Sequence, residues 1–273
     1  MNAIQFGCQA YTWQMSGEKY VGAMPHILDT VQSAGFAGFE TEVCMLGDYY
    51  KDSHQLASEH RERGLALGAL TLVCDWAGPE ETEDERAAAD KLLDYMERLP
   101  GTHLVLCQMP GADRENLVER QRNAIACKNA VAMRAVDSGL TCSCHPNSPP
   151  GSIFRTEEDY RILLEGLDDK LIGFAPDAGH IANGGMDVQA IFQEYRSLIR
   201  HVHFKDISEE GEWAAMGKGV IDFPAIVMNL RDTGYAGWIM VEEESKRAET
   251  EPDAVTLENG EHLKNVLLPL LAG

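Results

Sequence analysis

The sequence has little positive charge: 23 lysines and arginines stand against 44 aspartates and glutamates, which gives a formal net charge of -21. Such a chain repels polyanions, so binding of DNA or anionic lipid over a wide surface is excluded. The sequence also lacks an apolar run of about 18 residues that would cross a membrane. Its first residues do not form the pattern of a secretory signal peptide. We therefore expect a cytoplasmic protein that acts on a small molecule, with no nucleic-acid or membrane partner.

The cysteine and glycine patterns exclude two further kinds of site. The seven cysteines are an odd number and none forms a CxxC pair. We interpret them as reduced residues that pack as small hydrophobic side chains, in preference to disulfides or a thiolate metal site. No glycine-rich loop of the GxGxxG or GxxxxGK[ST] type follows the first apolar segment. This absence disfavours a dinucleotide-binding fold.

Short apolar segments alternate with longer amphipathic ones along the chain. We predict eight strands, at residues 4–11, 38–43, 65–73, 103–109, 140–144, 172–175, 201–204 and 238–241. Several are apolar at both sets of alternating positions, as strands buried on both faces are. Helical segments lie between them, one of which is predicted to begin with Thr156 as its cap. The pattern predicts an α/β fold, a single (β/α)8 TIM barrel, as one domain over residues 1–273.

Four predicted strands end in a side chain that can bind a metal. These are His145, Asp177, His203 and Glu242, at spacings of 32, 26 and 39 residues. Each residue alone also suits a helix cap, a core histidine or an acidic surface segment. Because parallel strands end at the same mouth of a barrel, we expect the four to converge. The sequence therefore predicts a metal site.

Two imidazoles and two carboxylates suit one divalent ion such as Mn²⁺, Co²⁺, Mg²⁺ or Zn²⁺. On an octahedral ion, four protein ligands leave two positions open. Those positions would chelate the adjacent carbonyl and hydroxyl of a substrate. Chelation withdraws electrons from the carbonyl and stabilises the enediolate that forms when a neighbouring proton leaves.

Other polar side chains at the predicted mouth are candidates for substrate binding. Trp13 would form an apolar wall against a sugar ring, or would belong to the core or the rim. Glu40 lies at the end of the second strand, and His180 lies one turn beyond Asp177, where a loop histidine bonded to backbone is the alternative. Lys205 alternates with His203, so it would face the same pocket as an electrophile or proton carrier. The alternative is a surface lysine paired with Asp206.

At these residues the chain resembles the xylose isomerase-like superfamily of TIM barrels, which includes ketose 3-epimerases, hydroxypyruvate isomerases, inosose dehydratases and endonuclease IV. The resemblance runs from Phe6 to about Leu268. Its most specific segments are FAPDAGH at 174–180, HVHFKD at 201–206, GKGVIDF at 217–223 and GYAGWIMVE at 234–242. In the first half the best match is GFAGFE at 35–40. The resemblance implies metal ligands after strands five to eight, which fall on the four residues named above.

The chain departs from the ketose epimerases at His145-Pro146, where those enzymes carry Glu-Pro. In the epimerases, glutamates after strands five and eight exchange the substrate proton from opposite faces. The resemblance therefore implies proton transfer by His145 and Glu242, with Lys205 as the third catalytic candidate, since a histidine also acts as base or acid. Inosose dehydratases are similar in having a histidine-rich segment after strand five.

The leading prediction is a metal-dependent isomerase or epimerase of a small keto sugar or keto polyol, with Mn²⁺ as the favoured ion. The alternative is a metal-dependent dehydratase, a lyase, of a keto-inositol or keto sugar. A DNA-repair nuclease on the same scaffold conflicts with the charge of -21. A non-catalytic sugar-binding protein stays open at this point. The resemblance also implies a homo-oligomer.

Overall fold

Eight parallel strands form a single curled sheet in the computed structural model, which describes residues 3–271. The strands are β1 (Gln5–Gln9), β2 (Gly38–Glu42), β3 (Ala66–Cys74), β4 (His103–Gln108), β5 (Cys142–His145), β6 (Ile172–Phe174), β7 (Val202–Phe204) and β8 (Trp238–Val241). Their order in the sheet is β6-β5-β4-β3-β2-β1-β8-β7. The end strands β6 and β7 approach each other through two isolated bridges, Phe174 with Ile199 and Asp177 with His203. The predicted TIM barrel is confirmed, and each predicted strand overlaps an observed one.

Helices surround the sheet. They are α1 (Tyr11–Gln14), α2 (Met24–Ala34), α3 (Ser53–Glu62), α4 (Glu83–Met96), α5 (Leu117–Asp137), α6 (Glu157–Gly166), α7 (Ala178–Asn183), α8 (Val188–Glu194), α9 (Phe223–Asp232) and α10 (Pro252–His262). Short 3₁₀ segments lie at Gly17–Tyr20, Val43–Met45, Gly47–Lys51, Arg196–Leu198 and Leu268–Leu271, and a π-helical turn at Leu263–Leu267. Within residues 3–271, none of the helices combines the length and apolar character that a membrane span requires.

Local sequence explains where two of the covering helices begin. Thr82 and Thr156 cap α4 and α6, and each makes a reciprocal capping box with the acidic residue three positions later. The predicted start at Thr156 is thus confirmed. The cysteines also behave as predicted: all seven lie within the described residues and are free, and Cys44 alone among them is exposed.

The lower end of the barrel is filled by two large side chains of β8. A Cβ at Gly7 would lie 2.4 Å from Met240 Sδ, and one at Gly38 would lie 2.5 Å from Trp238 Cη2. A Cβ at Gly68 would lie 2.3 Å from Met240 Cε. Glycine on three neighbouring strands therefore makes room for β8 to close the floor. This packing leaves the opposite end, where the strands terminate, for polar groups.

Candidate active site

The ends of β5 to β8 bring four side chains to one buried point. Ligand-capable atoms of His145, Asp177, His203 and Glu242 all lie within 4.8 Å of one another. His203 Nδ1 is 3.1 Å from Glu242 Oε2. All four side chains are buried, and nearly 100 residues of sequence separate the first, His145, from the last, Glu242. The convergence that strand spacing predicts is therefore present in the fold.

Asp177 is held by the helix that it starts. Its Oδ1 accepts a hydrogen bond of 2.8 Å from the backbone N–H of His180, which makes Asp177 the N-cap of α7. Among residues 3–271, no hydrogen-bond partner is present for Oδ2, which lies 3.7 Å from Lys205 Nζ. A buried carboxylate oxygen normally has a partner. The cap thus fixes the side chain while leaving one oxygen turned toward the other three groups.

His145 is held as a neutral imidazole. Its Nδ1 lies 3.3 Å from the carbonyl oxygen of Ala175. Burial, together with the nearby positive charges of His203 and Lys205, lowers the pKa of His145 to about 3. When Nδ1 donates to the carbonyl, Nε2 keeps a free lone pair. The ring centroid lies 4.4 Å from that of His203.

The four residues fit a divalent metal ion. They supply two imidazole nitrogens and two carboxylates within a few ångströms, and the unpartnered Asp177 Oδ2 is one of the donors. Burial alone would lower the pKa of His203, but the charges of Glu40 and Glu242 and their hydrogen bonds raise it to about 10. Several divalent metals accept this donor set.

Lys205 lies beside the predicted ligands and not at the surface. Its Nζ is 3.0 Å from Glu242 Oε1 and also contacts Glu244. Burial lowers the pKa of a lysine, but these carboxylates outweigh it and raise the pKa of Lys205 well above its ordinary value. The alternative pairing with Asp206 is wrong, because that carboxylate accepts hydrogen bonds of 2.9 Å from the N–H groups of Gly217 and Gly219.

A cavity of about 250 Å³ opens above these groups. Small-molecule sites typically have volumes of about 300–1,000 Å³, so this cavity suits a small ligand. His145, His180, His203 and Glu242 line it. His180 is fixed by Ser148 Oγ, 2.8 Å from its Nδ1, and by Lys205 Nζ, 3.2 Å from its Nε2.

Two residues predicted to bind substrate lie outside the cavity lining. The helix α1 begins two residues after β1 and places Tyr11 in the lining, whereas Trp13 packs in the core and donates from Nε1 to Asp253 at 2.7 Å. Glu40 lies fully buried below the cavity floor, where it contacts His203. Only the last inward-facing residues of a strand reach the cavity. The strand β2 continues beyond Glu40 to Glu42, and Glu42 lines the cavity.

Trp213 lies at the site but is absent from the residues predicted for it, and Glu244 also contacts Lys205 there. Trp213 lies on the short antiparallel hairpin formed by Asp206–Ile207 and Trp213–Ala214, and its ring is 5.1 Å from Lys205 Nζ. Burial and the charge of Glu242, opposed by Lys205, raise the pKa of Glu244 to about 8. The available sequence signal for Trp213 is Asp206, whose carboxylate accepts hydrogen bonds from the N–H groups of Gly217 and Gly219 and so holds the segment that contains Trp213.

Comparison with known proteins identifies relatives over almost the whole chain. The sequence model of the family described as xylose isomerase-like TIM barrel matches residues 28–266. The rhizopine catabolism protein MocC of Rhizobium meliloti is 26% identical, over 92% of this chain and 84% of that protein. An inosose dehydratase of Geobacillus kaustophilus is 22% identical, over 100% of this chain and 97% of that enzyme. The crystal structure of the IolI protein with a bound zinc atom has a similar fold, with a TM-score of 0.77, 15% identity and coverage of 98% of both chains.

Proposed function

Because the chain belongs to the xylose isomerase-like TIM barrel family, we propose that it is a divalent-metal-dependent enzyme that removes the proton next to the carbonyl of a small keto sugar or keto polyol. The convergence of His145, Asp177, His203 and Glu242 beneath a cavity at the mouth of the barrel carries this proposal. We propose Mn²⁺ as the native ion. Co²⁺, Mg²⁺ and Zn²⁺ are the alternatives, and the zinc in the related IolI fold makes zinc part of any test.

A divalent metal held by these four residues would polarise the carbonyl of the substrate. The side chains around it supply proton transfer and charge. His145 and Glu242 both line the cavity. Glu242 has two oxygens, so it can hold the metal through one and take up the substrate proton through the other, whereas His145 has a single free lone pair, on Nε2, and serves either as a ligand or as the proton carrier. Lys205 provides a buried positive charge 3.0 Å from Glu242, placed to stabilise negative charge on the reacting oxygen. His180, whose two nitrogens contact Ser148 and Lys205, lines the cavity and contacts the substrate through its ring.

Two products are chemically open after the proton leaves, and dehydration is the first of them. In a dehydratase, the electron pair of the broken C–H bond forms a C=C bond while the C–O bond at the next carbon breaks. The hydroxyl then leaves as water after taking up a proton. Inosose dehydratases align with this chain over nearly its full length. Histidine at position 145, where ketose epimerases have glutamate, also disfavours a symmetric exchange between two carboxylates.

An isomerase or epimerase is the second candidate. It is supported by the position of His145 and Glu242, since both face the same cavity and could exchange a proton with the substrate. In this case the proton returns to carbon and no bond to oxygen is broken. The substrate and product then have the same mass.

The test is incubation of the Mn²⁺-loaded protein with keto-inositols and keto sugars in D₂O. Deuterium should replace the hydrogen next to the carbonyl, as followed by NMR. A dehydratase also gives a conjugated enone that absorbs in the ultraviolet and has lost water, whereas an isomerase gives a product that differs in mass only by the deuterium. Protein treated with a chelator is the control. Absence of both exchange and product across the panel contradicts the proposal.

Three further properties complete the proposal. We propose that residues 1–273 form a single domain, that the protein is cytoplasmic and that it forms a homo-oligomer. Light scattering coupled to size-exclusion chromatography measures the oligomeric state. A monomer at micromolar concentration contradicts the last of these.

A further inference from the structure

The barrel interior directly below the site contains a buried carboxylate with three partners. Glu40 Oε2 is 2.6 Å from His201 Nε2, and Oε1 is 3.0 Å from His203 Nε2. Thr71 Oγ1 donates to Oε1 at 2.8 Å. TIM-barrel interiors at this depth are usually filled by branched apolar side chains. A charge buried there is costly unless it is paired, so the pairing calls for an explanation.

The two nitrogens of His203 face different carboxylates. Nδ1 is 3.1 Å from Glu242 Oε2 at the predicted metal point, whereas Nε2 is 3.0 Å from Glu40 Oε1 below it. An imidazole that binds a metal needs a lone pair on one nitrogen and donates the proton of the other nitrogen to a neighbouring acceptor. With Glu40 as that acceptor, the proton lies on Nε2. The lone pair of Nδ1 is then directed at the metal point.

Glu40 is itself held from the opposite side of the barrel. His201 lies between it and His103, whose ring is nearly parallel to that of His201 at 7° and 5.2 Å. The nitrogens of His103 lie 2.9 Å from Thr141 Oγ1 and 2.8 Å from Ser143 Oγ. The carboxylate therefore has little freedom to turn away from His203.

We propose that Glu40 is a positioning residue, which fixes the tautomer and the orientation of His203 through its Nε2 and thereby sets the metal affinity of the site. This inference rests on the metal site of the proposed function and deepens it. It differs from the substrate-binding role predicted for Glu40 from sequence. The residue acts from below the cavity, through a ligand, and does not touch the substrate.

A second metal ion is the competing explanation of the same cluster. Ligand-capable atoms of Glu40, His201 and His203 also lie within 4.8 Å of one another. However, two atoms that bind the same ion at about 2.0–2.2 Å lie farther from each other than His201 Nε2 and Glu40 Oε2 do, which are 2.6 Å apart. That separation is a direct hydrogen bond. The geometry therefore favours positioning over a second ion.

The first experiment measures Mn²⁺ and Zn²⁺ affinity by calorimetry and metal content by elemental analysis. Glu40→Gln keeps the size of the side chain and is expected to weaken metal binding by about 10–100-fold, with one ion per chain in both proteins. Glu59→Gln makes the same substitution on α3, away from the cavity, where Glu59 pairs with Arg63, and it is the matched control, with a change of less than about 3-fold expected. Unchanged affinity in Glu40→Gln overturns the proposal. Two ions in the wild type and one in Glu40→Gln also overturn it.

The second experiment does not depend on the folding of a variant. In the Zn²⁺-loaded wild-type protein with ¹⁵N-labelled histidines, His203 should carry its proton on Nε2 and bind zinc through Nδ1. Zinc on Nε2 overturns the inference, as does a wild-type protein that binds no metal. If the metal binds through Nδ1 but no substrate exchanges deuterium, the proposed reaction fails while the role of Glu40 stands.

Discussion

The two halves of the barrel are built differently. Strands β1 to β4 have 5, 5, 9 and 6 residues, whereas β5 to β8 have 4, 3, 3 and 4. Ladders of three to six residue pairs join the first four strands, with one register shift between Phe39 and Glu40, but β6 and β7 meet at two isolated bridges. One of these bridges joins Asp177 and His203. The weakest junction of the sheet thus lies where the metal ligands are proposed.

The halves also differ in how they treat buried polar groups. In the second half, Lys205, Asp177 and Glu242 form ion pairs around the cavity. In the first half, the carboxylate of Glu40 lies beneath the site and contacts one proposed ligand, His203. The first half therefore supports the site from below, whereas the second half depends on compensation between buried charges. A metal would complete the second half, so perturbing that half should change function, whereas perturbing the first half away from Glu40 should mainly change stability.

The largest effect is expected from Asp177→Asn. Asparagine still caps α7, because Asn is as good an N-cap as Asp, but the charged donor to the metal is lost. We expect loss of bound metal and a decrease in kcat/KM of roughly 10³-fold. Asp187→Asn is the matched control, since Asp187 caps α8 through a bond of 3.0 Å to the N–H of Ala190. Full metal content in Asp177→Asn would contradict the claim that the second half of the barrel holds the metal through Asp177.

The next effect concerns the stability of the first half. Burial lowers the pKa of His60 on α3 to about 4, below its ordinary value of 6.5. The unfolded chain therefore takes up a proton at higher pH than the folded protein does. The free energy of unfolding should decrease as the pH falls from 6.5 to 4, by up to about 3 kcal/mol from this residue.

Denaturant titrations at several pH values measure this effect. In His60→Leu the stability should decline less over that interval, while His54→Gln, an exposed position on the same helix, should follow the wild type. Equal pH dependence in His60→Leu and the wild type would exclude His60 as the source. The result sharpens the comparison because His60 does not contact the metal site.

A smaller effect is expected from replacing two buried lysines, Lys205 beside the site and Lys128 on α5. Lys205→Met removes the cation between the carboxylates and should decrease kcat by about 100-fold, with metal still bound. Lys128 is also fully buried, but its Nζ lies over the Trp76 ring at 4.2 Å on the other side of the sheet. Lys128→Met should change the Tm and leave kcat near the wild-type value. Equal decreases in kcat in the two variants would show that the loss comes from removing any buried lysine and not from the position of Lys205 beside the site.

The smallest effects are expected from removing the N-caps of two outer helices, α4 in the first half and α6 in the second. Thr82→Ala and Thr156→Ala each remove one capping bond, to the N–H of Glu85 at 3.2 Å and of Asp159 at 3.4 Å. Each should cost about 1 kcal/mol of stability. Neither should change metal affinity. A weaker metal affinity in Thr156→Ala alone would mean that the outer helices of the second half are coupled to the site.

The strand-end pattern was sufficient to predict the barrel and to bring His145, Asp177, His203 and Glu242 together, because parallel strands end at a common mouth. Placement of single side chains beyond the strands was less predictable. Trp13 turns into the core because α1 starts at once after β1. Trp213 reaches Lys205 through a loop closed by Asp206 and two glycines. These placements depend on tertiary contacts that neither periodicity nor spacing encodes.

Hydrogen–deuterium exchange of the protein with and without Mn²⁺ tests the central claim most directly. The account predicts that the metal slows exchange in peptides that contain residues 142–145, 172–177, 202–206 and 239–244. Peptides from β1 and from the core of β3 and β4 should exchange at the same rate in both states. Protection spread evenly over both halves, or confined to β1–β4, would contradict a metal site built on β5–β8.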